Sequence, residues 1–239
     1  MYEGMALIVD VGRIVILFLG LISCFLGILL IPQKKGYVRE PAIFLILSGL
    51  ITIYANSSNF FARMGNEAFV KYGYLGILIQ ILQIVAVILL FLYARKRYDA
   101  EGLAVVIILP IAWLFLHKIV QVALLRSSLG LSFIKNQTLF ASYTALSNLA
   151  LIAVMIFIAV MYYRNKDKEN VFPYIWIFPV LFAVSYTLNS VTSIMLLSIA
   201  GAIPAFLIKL VTAIVYPAFG FYLIVNMNSS EKYIDSQNV

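Results

Sequence analysis

Charged side chains are scarce in this chain. Asp, Glu, Lys and Arg supply 11% of its 239 residues, while 64% are hydrophobic. A water-soluble domain of this size wears a charged coat, with about a quarter of its residues charged. That shortage excludes a soluble domain and points to an integral membrane protein. Histidine and cysteine are scarcer still, with His117 and Cys24 as single copies. One cysteine excludes a disulfide within the chain. One of each excludes a zinc site built from Cys and His, and excludes haem held by a pair of histidines. Cys24 lies inside an apolar run and reads as a small packing residue.

Other chemistry is missing too. There is no Gly-Lys-Ser/Thr phosphate loop and no pair of carboxylates within an apolar run. A serine nucleophile would have His117 as its sole imidazole base. The expectation is a protein that is not an enzyme and carries no cofactor and no metal. The formal charge of +7 does not imply nucleic acid, because the basic residues sit in short loops between apolar runs. In that position they orient helices and meet anionic head groups, so the expected partners begin with membrane lipids.

What the chain does have is long apolar runs. About 20 such residues cross a hydrocarbon core as a helix. Seven spans are predicted, near Ala6–Ile31, Pro41–Phe61, Phe69–Ala94, Gly102–Leu125, Leu139–Tyr163, Phe172–Ile199 and Ala202–Val225. The first follows only Met1–Met5, with no basic residue before it, and is longer than a signal-peptide core, so it reads as a retained helix. The fold class expected is all-α, a seven-transmembrane-helix bundle in the cell membrane, forming a single domain over residues 1–239. Residues 227–239 read as a short frayed tail, and no soluble output module is expected.

Charge sets the direction. One side receives Lys34, Lys35, Arg39, Arg95, Lys96, Arg97, Arg164, Lys166, Lys168 and Lys232. The loops of the other side hold Arg63, Lys71, Arg126 and Lys135, while Arg13, Lys118 and Lys209 lie inside spans. Ten against four places the N-terminus outside and the C-terminus in the cytoplasm.

The fourth span separates two halves that resemble each other. Pro41-Ala-Ile-Phe-Leu leads to Tyr54, and Pro173-Tyr-Ile-Trp-Ile leads to Tyr186, thirteen residues from proline to tyrosine in both. A first-turn proline is common in any helix, so that part of the match is weak. The reading is a 3+1+3 parallel repeat, with halves 6–98 and 139–226 and a linker helix 102–125. An odd linker gives both halves one orientation.

The plan is similar to that of microbial opsins, whose retinal lysine lies shortly before a Phe-Gly pair in the last helix. Here Val215-Tyr216-Pro217-Ala218-Phe219-Gly220 has the Phe-Gly, with Tyr216 where the lysine would fall. Lys209 is about two turns too early to replace it. The topology is opsin-like without the retinal lysine, and no retinal is expected. Pro32-Gln33 resembles the dipeptide of PQ-loop carriers, but Tyr162-Tyr163 stands at the matching point of the second half.

Polar residues gather in the outer halves of the spans, and the inner halves are almost wholly apolar. The arrangement expected is a hydrated pocket open to the outside and plugged toward the cytoplasm. Its candidate ligand-binding residues are Asp10, Arg13, Asn56, Gln83, His117, Lys118, Tyr186, Asn189, Lys209 and Tyr216. Charge inside a bilayer costs at least about 2.5 kcal/mol, so such residues face a partner or water. Each also has a plainer reading. Asp10 and Arg13 are placed to pair with each other, Lys118 and Lys209 to snorkel, and His117 to bond a neighbouring helix. If Arg13, Lys118 and Lys209 all face inward, the pocket is cationic and its ligand a small anion or an amphipathic molecule. The first functional reading is therefore a receptor or sensor that signals to a protein partner at the basic cytoplasmic loops. The alternatives are a small-solute transporter and an accessory subunit of a larger membrane complex. Pro110, Pro179 and Pro217 are candidate kinks, and Pro217 is the preferred hinge.

Overall fold

The computed structural model describes residues 2–32, 38–57, 75, 78, 81–82, 84–95, 104–126, 137–168, 172–195 and 202–237. Side chains are described for fewer, and Gln83 and the Lys118 side chain lie outside them. All regular structure among the described residues is helical, with no strand. In chain order the helices are α1 (Tyr2–Leu30), α2 (Arg39–Asn56), α3 (Ile84–Arg95), α4 (Ala104–Arg126), α5 (Gln137–Arg164), α6 (Ile177–Met195) and α7 (Ala202–Gln237).

Local chemistry explains several ends. α1 stops at Leu30 because Ile31 precedes Pro32, and a residue before proline is pushed out of the helical region. α2 opens with Glu40 and Pro41 in its first turn, where a carboxylate suits the helix dipole and no proline N–H is needed. α6 begins at Ile177, later than Phe172, because Phe172–Trp176 forms tight turns with Ile175 N–H bonded to the Phe172 carbonyl at 3.1 Å. Pro179 therefore sits in the first turn of α6 and is not an interior kink. Pro173, the counterpart of Pro41, lies in those turns and outside the helix. At the other end of the chain, α7 runs on through Gln237, where a frayed tail was expected. Nothing between Phe221 and Gln237 is Gly or Pro, so the backbone continues as helix after the side chains turn polar.

Neighbouring helices alternate in direction. α1 and α2 form the most extensive pair, and they are antiparallel, with Gly20 beside Gly49 and Gly27 beside Ala42. A Cβ on Gly49 would fall 2.5 Å from both Cys24 Sγ and the Gly20 carbonyl oxygen. Glycine is therefore required for the two backbones to touch, as small residues allow in membrane helices. α1 and α7 are parallel, since Phe206 lies against Gly12 and Leu26 against Gly220. α6 runs against α7, with ring contacts Phe178–Tyr222 and Phe182–Phe219. α5 runs against α6, and α3 runs with α5 through Phe91–Phe157 and Tyr93–Tyr162. α4 packs on α5, and among its described side chains Leu114 and His117 are the buried ones.

The end of the bundle where α1, α3, α5 and α7 arrive is called the lower end here. The main core lies there and at mid-height, with Leu30, Val38, Leu45, Ala94, Tyr162, Phe172 and Leu223 almost fully buried. Arg39, Arg95, Arg164 and Lys166 mark that same end. Outside, large apolar side chains face away from the core on most helices, including Phe18, Phe25, Leu109, Ile119, Val211 and Val225. Among the described residues two segments, Asp10–Leu30 and Ile203–Met227, are long and apolar enough to cross a membrane. The seven full spans read from the sequence are met only in part. α2 and α6 are 18 and 19 residues long and give over part of their length to Ser, Thr and Asn.

Candidate binding site

The upper halves of the helices enclose a cavity of about 240 Å³. Helical spacing builds its walls. Ser48, Thr52 and Asn56 lie four residues apart and form one stripe on α2, and Lys209, Thr212 and Tyr216 form another on α7. α6 adds Tyr186 and Asn189, α5 adds Asn148 and α1 adds Ile16. Because α2 runs against α7, Asn56 and Lys209 stand at the upper end, while Ser48 and Tyr216 lie deeper.

The α2 stripe is self-bonded. Thr52 Oγ1 donates to the Ser48 carbonyl at 2.8 Å, and Asn56 Nδ2 donates to the Thr52 carbonyl at 2.8 Å. On α7, Thr212 Oγ1 donates to the Lys209 carbonyl at 3.0 Å. Across the bundle, Asn148 Nδ2 donates to Ser190 Oγ at 2.8 Å. Each threonine has spent its one proton on the protein and keeps lone pairs, while each asparagine has spent one of two N–H donors and keeps the other beside its amide oxygen. Turning the Asn56 amide over would set its oxygen against the Thr52 carbonyl, which fixes its assignment. The cation is Lys209, half-buried, with no carboxylate partner among the described residues. The Tyr216 and Tyr186 hydroxyls are hydrogen-bonding neighbours.

Beneath the cavity lies an aromatic floor. Phe182 stacks on Tyr216 with centroids 5.3 Å apart and planes 19° apart, and Phe44 sits 5.0 Å from Phe182. Phe219 closes on Phe182 edge to face at 5.5 Å. Offset and edge contacts of this kind add to simple burial.

Five of the sequence candidates share this cavity: Asn56, Tyr186, Asn189, Lys209 and Tyr216. The structure places Asp10 and Arg13 outside its wall, paired with each other at 3.5 Å and both partly exposed. Arg13 is still near enough for its charge to repel Lys209. His117 is buried on α4, away from the cavity lining. The three-cation pocket thus has one described cation in its wall, because α1 turns Ile16 into that wall and leaves Arg13 outside it. Ser48 and Thr52 were missed. Their signal was the spacing 48–52–56 in an otherwise apolar span.

A second concavity, on the outside of α5 and α6, is apolar, with Ala159 and Ala183 buried at its base between Ile156, Val160 and Val184. Among the described residues no group of three His, Cys, Asp or Glu side chains comes together to hold a metal ion. No protein-family model, curated protein or solved structure matches this chain.

Proposed function

We propose that the chain is a multi-pass membrane protein of seven helices, built as three, one and three. In this reading its polar cavity opens to the outside and binds a small ligand carrying an anionic group, as a receptor or sensor would. The observation that carries the reading is the half-buried Lys209 in a polar cavity above an aromatic floor, with no acid to neutralise it among the described residues. A cation held away from bulk water without a counter-ion favours an anion beside it. The apolar exterior supports the membrane setting, since a soluble surface rarely carries so much contiguous apolar area. The basic residues at the lower end support an outside N-terminus. Ligand binding would pass to a partner protein at the cytoplasmic end through movement of α6 and α7, which share the aromatic floor.

The test is thiol labelling of Asn56→Cys and Asn189→Cys in a Cys24→Ala background. A membrane-impermeant reagent should label both from outside only, and a bound anion should slow the reaction. Labelling from the cytoplasmic side, or from neither, removes the reading.

A transporter is the second reading, favoured by Pro217. It lies inside α7 directly after Tyr216 and frees a backbone carbonyl at the level of the floor, where a bend would open the lower end. Anion uptake into proteoliposomes that stops in Pro217→Ala would favour it. An accessory subunit would instead copurify with a stable partner covering the upper polar residues.

A further inference from the structure

We infer that the ligand of the Lys209 cavity is a small zwitterion, an amino-acid-like molecule with a carboxylate for Lys209 and an ammonium for the deeper wall. This rests on the reading of the cavity as a binding site and names the class of molecule it takes. A site made for a simple anion surrounds it with donors. Here Lys209 is the charged donor, and the hydroxyls of Thr52 on α2 and Thr212 on α7 offer lone pairs alone. Thr52 and Thr212 give their single protons to carbonyls of their own helices, whereas Asn56 and Asn148 each give one N–H and keep a second beside an amide oxygen. Oxygen lone pairs from α2, α5 and α7 therefore converge on one space. A phosphate or a plain carboxylate leaves the threonine acceptors unmatched, and buried acceptors without a donor are costly. An ammonium carries three donors and no lone pair, which is the complement they require.

The depth of the groups orients the molecule. Lys209 stands near the upper end, whereas Ser48, Thr52 and Thr212 reach toward the floor. The ammonium enters first and the carboxylate stays at Lys209. Among the described residues no carboxylate lines the cavity, so a purely cationic amine meets Lys209 with repulsion. The aromatic floor then limits length. A cavity of about 240 Å³ is below the usual range for drug-sized ligands, so the occupant is a compact molecule.

Matched pairs test this on the intact purified protein, with thermal stabilisation and calorimetry as readouts. The pairs are glycine and acetate, β-alanine and propionate, γ-aminobutyrate and butyrate, with ethylamine and glycolate as single-group controls. At least one amino acid should bind about tenfold or more tightly than its matched carboxylate. Lys209→Gln should weaken that amino acid by about tenfold or more, and Thr52→Val should weaken it while leaving the carboxylate unchanged. Equal binding of a carboxylate or glycolate and its amino acid overturns the zwitterion and leaves an anion site standing. No binding by any member, with Asn56→Cys still labelled from outside, overturns the zwitterion alone. No binding together with no labelling removes the cavity as a site. The matched pairs need no variant, so a misfolded mutant does not blunt the result.

Discussion

Asn148 on α5 donates to the Ser190 hydroxyl on α6 at 2.8 Å, and Ser190 passes its own proton to the Tyr186 carbonyl one turn away at 2.9 Å. This relay ties two helices together beside the cavity and holds the α6 face that presents Tyr186. Bonds of this type between membrane helices average about 0.6 kcal/mol. Ser190→Ala should therefore lower the unfolding free energy by about 0.5–1.5 kcal/mol, measured by denaturant titration in detergent. The same change should weaken ligand binding less than Lys209→Gln does.

Gly49 should tolerate no side chain. Its added Cβ meets Cys24 Sγ and the Gly20 carbonyl, and the second is backbone that cannot rotate aside. Gly49→Ala is expected to cost about 1–3 kcal/mol through overpacking. Leu50→Ala, one residue along and exposed, should stay within about 0.5 kcal/mol. Equal thermal shifts for the two variants would disprove the close contact.

Phe182 is buried completely at the centre of the floor, touching Phe44, Tyr216 and Phe219. Phe182→Ala should cost about 3–5 kcal/mol. It should also let a small thiol reagent reach a cysteine placed at Ser48 from the cytoplasmic side. Phe221→Ala, on the exposed side of α7, should do neither.

Arg13 and Lys209 have opposite expected roles although both are cations inside spans. Arg13 already has Asp10 at 3.5 Å, an exposed pair worth about 0–1 kcal/mol. Arg13→Gln should leave ligand affinity within about twofold, which corresponds to about 0.4 kcal/mol. Lys209→Gln should reduce it by about tenfold or more. Calorimetry on both variants decides between one cation and two.

Much of this molecule could be read along the chain. Apolar runs located the helices, because a segment rich in Leu, Ile and Val with no interior breaker forms a helix in almost any apolar setting. Basic loops predicted that Arg39, Arg95, Arg164 and Lys166 would share one end, and they do. The polar upper and apolar lower halves were visible as well. Hydropathy failed where it was asked for backbone. It ended α7 near Val225 when the helix continues to Gln237, and it began α6 too early by overlooking the turns at Phe172–Trp176.

Rotation about each helix axis was decided elsewhere. Depth follows from position in the chain, at about 1.5 Å per residue, but facing direction changes by about 100° with every residue. Arg13 and Ile16 differ by less than one turn, yet one pairs with Asp10 outside the cavity and the other forms part of its wall. What sets that difference is the seating of Gly20 and Gly27 against α2 and of Gly12 and Leu26 against α7. Composition and order thus dictated the helices and their polar and apolar ends. Close packing between distant segments chose which polar groups meet, since contact distances of a few ångströms are a property of pairs.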